Sequence, residues 1–130
     1  MTTDTNCSGI VFVVEDDEDT RELLRTVLQR RGYRVATARD GVEALELLHV
    51  TPGVCFVLLD LFMPRMDGFA VLKAMASDPA LALLPVCVST SAPDVVPVGI
   101  DCLSKPIDLT SLFALIEHHC SAAGSVQRPS

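Results

Sequence analysis

VCFVLLDLFMPRMDGF, residues 54–69, changes character twice within one short stretch. Val54–Leu59 is an unbroken apolar run, which suits a strand buried on both faces of a sheet. The run stops at Asp60, a carboxylate with no place in such an interior. After a loop containing Pro64, Asp67-Gly68 opens a helix through about Ser77 that carries Phe69, Leu72 and Met75. A buried strand that ends on an acid and feeds a helix is half of a βαβ unit.

The same grammar repeats on both sides. Ile10–Val14 is a short β-branched run followed by EDDED, with Leu23, Leu24, Val27 and Leu28 at helical spacing and Gly32 as a stop. Tyr33–Ala38 reads as a second strand, and Asp40 can cap a helix that turns Val42, Leu45 and Leu48 inward. Pro85–Ser89 is a fourth strand and Asp101–Ser104 a short fifth. Asp108 then caps a last helix with Leu109, Leu112, Phe113 and Ile116 inward. Apolar strands alternating with helices predict an α/β fold, doubly wound, around a five-stranded parallel sheet. Residues 1–8 and 122–130 are polar and rich in small side chains, so tails are expected around one domain at 9–121.

Composition narrows the function. The chain has 130 residues, enough for one real core, and 49% are apolar with no Trp, so that core is aliphatic. A formal charge of −7 with scattered basic residues argues against nucleic acid as a direct partner. No apolar stretch approaches a membrane span and no secretory signal is present, which predicts no membrane partner and a cytoplasmic protein. Cys7, Cys55, Cys87, Cys102 and Cys120 show no C-x-x-C spacing, and Cys55 and Cys87 lie in apolar runs where a thiol packs as a small hydrophobe. Adjacent His118, His119 and Cys120 do not share a helix face, so no metal site is expected there.

In open parallel sheets, ligands bind beyond the carboxyl ends of the strands. Glu15, Asp16 and Asp17 follow the first strand, Asp60 ends the third, Ser89, Thr90 and Ser91 follow the fourth, and Lys105 follows the fifth. Carboxylates gathered in one crevice repel unless a cation joins them, and Mg²⁺ favours one or two carboxylates with water and a phosphate oxygen. Lys105 and Thr90 supply a charge and a hydroxyl for a phosphoryl group, and an Asp can be the nucleophile that forms an acyl phosphate. Asp17, Glu18 and Asp19 are better read as a solvated helix start.

Four motifs in order, VVEDDEDTRELL, LLDLFMPRMDGF, PVCVSTSA and LSKP, resemble the receiver domain of bacterial two-component response regulators over about residues 9–121. The resemblance implies a flavodoxin-like sheet of order 2-1-3-4-5 and identifies Asp60 as phosphoacceptor. Its phosphoryl group would come from a phosphohistidine on a sensor histidine kinase or histidine phosphotransfer protein. It also implies Mg²⁺ held by Asp16 and Asp60, by Glu15 through water, and by the backbone carbonyl of Phe62. Thr90 matches the switch hydroxyl and Lys105 the lysine that contacts the phosphoryl group, with Pro106 shaping its turn through a cis bond. Phe62 occupies the position that lines the path of attacking water, which implies slow loss of the phosphoryl group, while small Ala92 works in the other direction.

Residues 90–106 depart from the family pattern. Receivers carry a helix between the fourth and fifth strands, yet only residues 91–100 are available here, and Pro93, Pro97 and Gly99 interrupt them. The helix is therefore expected to be missing or reduced to one turn begun by Pro93. The family's switch aromatic, three residues before the lysine, is replaced by Cys102, for which redox sensing finds no resolving partner in the sequence. The leading expectation is a stand-alone receiver that signals by protein contact and catalyses only its own phosphorylation and dephosphorylation. No output domain is expected after the last helix. The alternative is a degenerate receiver that binds an unknown downstream protein without phosphorylation. A phosphatase is disfavoured, because no second Asp stands two residues after Asp60.

Overall fold

The computed structural model describes residues 9–63 and 65–127, with side chains as far as Cys120. Five strands, β1 (Ile10–Val14), β2 (Arg34–Ala38), β3 (Val54–Asp60), β4 (Val86–Thr90) and β5 (Asp101–Ser104), form one parallel sheet in the order β2-β1-β3-β4-β5. Four helices accompany them: α1 (Glu18–Arg30), α2 (Gly41–Val50), α3 (Gly68–Ala76) and α4 (Leu109–Gln127). The doubly wound architecture and the strand order are those expected. α4 continues past residue 121, where the domain was expected to end, and the tails expected at 1–8 and 128–130 lie outside the described residues.

Alternation along the strands sorts the core into two layers. Val11, Val13, Phe56, Leu58, Cys87 and Leu103 face α1 and α4. Phe12, Val14, Val57 and Leu59 face α2 and α3. Phe12 and Phe56 are fully buried, each contributing about 1.5–3 kcal/mol by leaving water. Leu23, one of the apolar residues at helical spacing, is 58% exposed: Leu24 and Leu28 fill the core side of α1 and rotate it outward. β2 is the polar-flanked edge, with Arg34 exposed and only Ala38 buried.

The helix starts are fixed by the acids singled out in the sequence. Asp17 accepts from Thr20 N, Asp40 from Glu43 N, Asp67 from Ala70 N and Asp108 from Ser111 N. Each satisfies an orphan amide at a helix terminus, a contribution of about 1 kcal/mol.

Between β4 and β5 the chain makes a single 3-10 turn, Pro93–Val95, with Pro at its start. It then runs extended through a second turn closed by Ile100 N donating to Pro97 O at 3.3 Å. No α-helix forms in this crossover, as the prolines require. A cavity of about 580 Å³ opens between α3 and the crossover, bounded by Phe69, Leu72, Met75, Pro97 and Ile100.

Candidate functional site

The carboxyl ends of β1, β3, β4 and β5 meet in one crevice. Asp60 is the last residue of β3 and pairs in register with Ser89 of β4, while Thr90 pairs with Ser104, the residue before Lys105. Topology alone therefore brings together residues from four separate segments. Glu15 and Asp60 are buried and Asp16 is exposed, and one carboxylate oxygen of each lies within 4.8 Å of the others. Lys105 Nζ sits 3.1 Å from Asp60 Oδ1 and 3.4 Å from Glu15 Oε1. The Lys105-Pro106 peptide bond is cis, as the resemblance implied.

The charges in this crevice do not balance. Burial, and then the negative charge of Glu15, push the Asp60 carboxyl up to about 7 against the pull of Lys105. Burial alone would lower Lys105, but Asp60 and Glu15 outweigh it and hold the ammonium above its ordinary value. One ammonium faces three carboxylates, two of them buried, so the donor set fits a hard, oxygen-seeking cation. Asp17 caps α1 and is exposed, in keeping with its reading as a helix start.

Thr90 is buried, and its Oγ1 accepts from Ala92 N at 3.0 Å, which leaves the hydroxyl proton to be donated elsewhere. Phe62 is half exposed and stacks edge-on against Phe69 of α3. Cys102 is partly buried beside Val88, and burial raises its thiol pKa, which keeps it a thiol and opposes reactivity. Burial also pushes the Cys87 thiol up to about 12. His119 faces Asp101 at 3.2 Å and Phe56, while Cys120 is buried, so the two point to different surroundings.

Several supporting residues escaped the sequence. Arg21 Nη1 donates to Glu15 O at 2.9 Å, bracing the backbone that carries the acidic pair. Gly68 lies so close to the end of β3 that a Cβ there would sit 2.7 Å from Leu61 Cα and 2.8 Å from Asp60 O. Arg65, at φ 68°, places Nη1 3.1 Å from Oδ2 of buried Asp40. The Asp67-Gly68 pair and the Asp40 cap were visible signals, but their link to the loop after Asp60 is tertiary.

Residues 11–117 match the response regulator receiver domain. Over 129 residues the chain is 36% identical to the DNA-binding transcriptional regulator NtrC of Escherichia coli (strain K12), covering 93% of this chain and 27% of that protein. The chain thus spans about a quarter of that relative's length. A response regulator receiver protein from Pseudomonas putida aligns with a TM-score of 0.77 and 29% identity over 85% of this chain and 96% of its own. The receiver domain of a signal transduction histidine kinase from Syntrophus aciditrophicus gives 0.79 and 27%, over 88% and 92%. The sheet order, the acid–lysine crevice and these likenesses agree: the chain belongs to the response regulator receiver domain family.

Proposed function

We propose that Asp60 accepts a phosphoryl group from a phosphohistidine on a sensor histidine kinase or histidine phosphotransfer protein, and that the domain works in the cytoplasm by changing its protein contacts. The observation that carries this is the position of Lys105, whose ammonium bridges Asp60 and Glu15 in a crevice with a surplus of negative charge. Mg²⁺ is the cation this donor set suits, held by Asp16, Asp60, Glu15 and the Phe62 carbonyl; once bound it offsets charge on the phosphoryl oxygens.

In the transfer, an Asp60 carboxylate oxygen bonds to phosphorus as the P–N bond to the donor imidazole breaks. The electron pair returns to that ring nitrogen, which takes up a proton, and Asp60 becomes an acyl phosphate. Lys105 moves from the Asp60 carboxylate to a phosphoryl oxygen, and the Thr90 hydroxyl turns its free proton to another. The domain catalyses its own modification and turns over no separate substrate.

Incubation with acetyl phosphate and Mg²⁺ should label the wild type and leave Asp60→Asn unlabelled on phosphate-affinity gels; an unlabelled wild type rejects the proposal. A second reading, a binding module indifferent to phosphorylation, is favoured by the helix-free crossover and by Cys102 in place of the switch aromatic. Under that reading Asp60→Asn leaves partner binding and phenotype intact.

A further inference from the structure

We infer that Arg65 and Asp40 form a positioning pair that holds the loop after Asp60 in its cation-accepting shape and so sets the Mg²⁺ affinity of the site. The inference rests on the receiver reading above and concerns two residues to which that reading gives no role.

The loop between β3 and α3 carries the Phe62 carbonyl, so its shape decides whether that oxygen meets a cation shared with Asp60. One of its ends is anchored to the sheet and the other to that first end. Leu61 N donates to Ser89 O at 3.0 Å, and Gly68 N donates to Leu61 O at 2.7 Å, closing the loop on itself. Among the described residues, the middle has no such backbone bond. There Arg65 takes a left-handed conformation that a non-glycine residue adopts only at a cost, and its guanidinium reaches Asp40 Oδ2.

Asp40 is a demanding partner. Its side chain is 6% exposed, whereas that of Arg65 is 60% exposed. Asp40 Oδ1 is already used in capping α2 through Glu43 N at 2.8 Å, so Oδ2 is the oxygen left for the loop. A buried carboxylate oxygen needs a partner, and Arg65 supplies it with charge. The neighbouring contact is equally close: a Cβ on Gly41 would lie 2.5 Å from Met66 O and 2.8 Å from Met66 Cγ. The loop at 65–66 is thus pressed against the first turn of α2 by an ion pair and by a glycine that leaves it room. Through this contact α2, which contributes no ligand, braces the later part of the loop that follows Asp60.

Two substitutions remove the ion pair while preserving local structure. Asp40→Asn keeps a good helix cap, and Arg65→Asn keeps a residue that tolerates the left-handed conformation. In the full chain, Mg²⁺ binding is measured by calorimetry, and the rate of labelling by acetyl phosphate is measured across Mg²⁺ concentrations.

Each single variant is expected to need about tenfold more Mg²⁺ for half-saturation, as loss of a group that orients a ligand does. The maximal labelling rate at saturating Mg²⁺ stays near wild type, while Arg65→Asn, which leaves Asp40 Oδ2 buried without its partner, also lowers the metal-free melting temperature somewhat. Arg65→Lys restores most of the affinity, and the double variant is no worse than either single one. A purely structural role would lower the melting temperature and leave half-saturation unmoved, which overturns the inference. So does half-saturation equal to wild type in both variants, while a wild type that binds Mg²⁺ and becomes labelled keeps the receiver reading intact. A wild type that takes up neither Mg²⁺ nor label overturns both. Should Asp40→Asn fail to fold, Arg65→Asn decides alone, since it alters an exposed side chain.

Discussion

Phe62 stands edge-on to Phe69, with ring centroids 6.3 Å apart and an interplanar angle of 72°. This tilted geometry is favourable for aromatic pairs, and it leans the ring two residues past Asp60 onto α3. Under the proposed function, a ring held there would stand guard where a smaller polar side chain would admit and orient water. Phe62→Asn should therefore shorten the lifetime of phosphorylated Asp60 by about tenfold, equal to ~1.4 kcal/mol of barrier. Phe69→Ala, which only frees the ring, should act in the same direction and less. Decay followed on phosphate-affinity gels after removal of the donor checks both; two unchanged rates exclude shielding.

The metal-free domain should lose stability as pH rises. Asp60 titrates at about 7 in the fold against an ordinary value of 3.8, so the native state holds that proton more tightly than the unfolded chain. Its contribution is complete below pH 3.8 and disappears as pH rises through about 7, amounting to roughly 2–4 kcal/mol. Thermal melts without metal should fall between pH 5 and pH 8. Asp60→Asn should flatten that fall and melt above wild type at pH 8, and Mg²⁺ should stabilise the wild type most at the alkaline end. A wild type that melts higher at pH 8 than at pH 5 without metal would contradict the charge surplus.

Gly68→Ala should be costly. The added carbon would meet backbone at Leu61 Cα and Asp60 O, neither of which can swing aside as a side-chain tip can. Overpacking of this kind costs about 1–3 kcal/mol, and here the strain falls on the proposed phosphoacceptor itself. Urea unfolding should show the loss, and labelling by acetyl phosphate should slow beyond what the lowered stability explains. Ala at the exposed neighbour Ala70 is already native, so Ala70→Ser serves as a control near wild type.

His49 and Asp78 should titrate as a pair. His49 binds Asp78 through Nε2 and Leu45 O through Nδ1, so both ring nitrogens act as donors in the charged form. The Asp78 bond raises the His49 pKa, and the His49 bond lowers that of Asp78. The Asp78 part of the interaction is lost as pH falls through its lowered pKa, and the His49 part as pH rises through its raised one. The pair therefore ties the end of α2 to the turn after α3 in the window between them. NMR should place His49 above its ordinary 6.5, and Asp78→Asn should bring it back down.

How much was legible beforehand depended on whether the signal was local. The apolar runs placed β1 and β3 to the residue, and the four acids placed every helix start, because caps and strand burial are written in neighbouring residues. The acidic pair, Asp60, Thr90 and Lys105 were found because parallel sheets deliver strand ends to one crevice. The exposure of Leu23 was not legible, because spacing defines a stripe on a helix and not which edge of that stripe the sheet covers. Arg65 and Asp40 were out of reach: an arginine in a polar loop and an acid already employed as a cap give no hint that they meet. Gly41 and Gly68 looked like ordinary helix starts, and only packing reveals what a methyl group would strike.

The Thr90 hydroxyl holds Ala92 N at 3.0 Å, and Ala92 is the doorstep of the helix-free crossover. A hydroxyl that only turns its proton keeps that amide, whereas one whose oxygen swings toward a phosphoryl group lets it go. In a domain with a helix at this place, the freed amide would pull on a hydrogen-bonded rod. Here it releases a short cord, knotted by turn bonds at Val95, Val96 and Ile100 and stiffened by Pro93 and Pro97. Under the proposed function, phosphorylation would reach the crossover as slack along a tether, and amide exchange at Ala92 is where that slack would first become measurable.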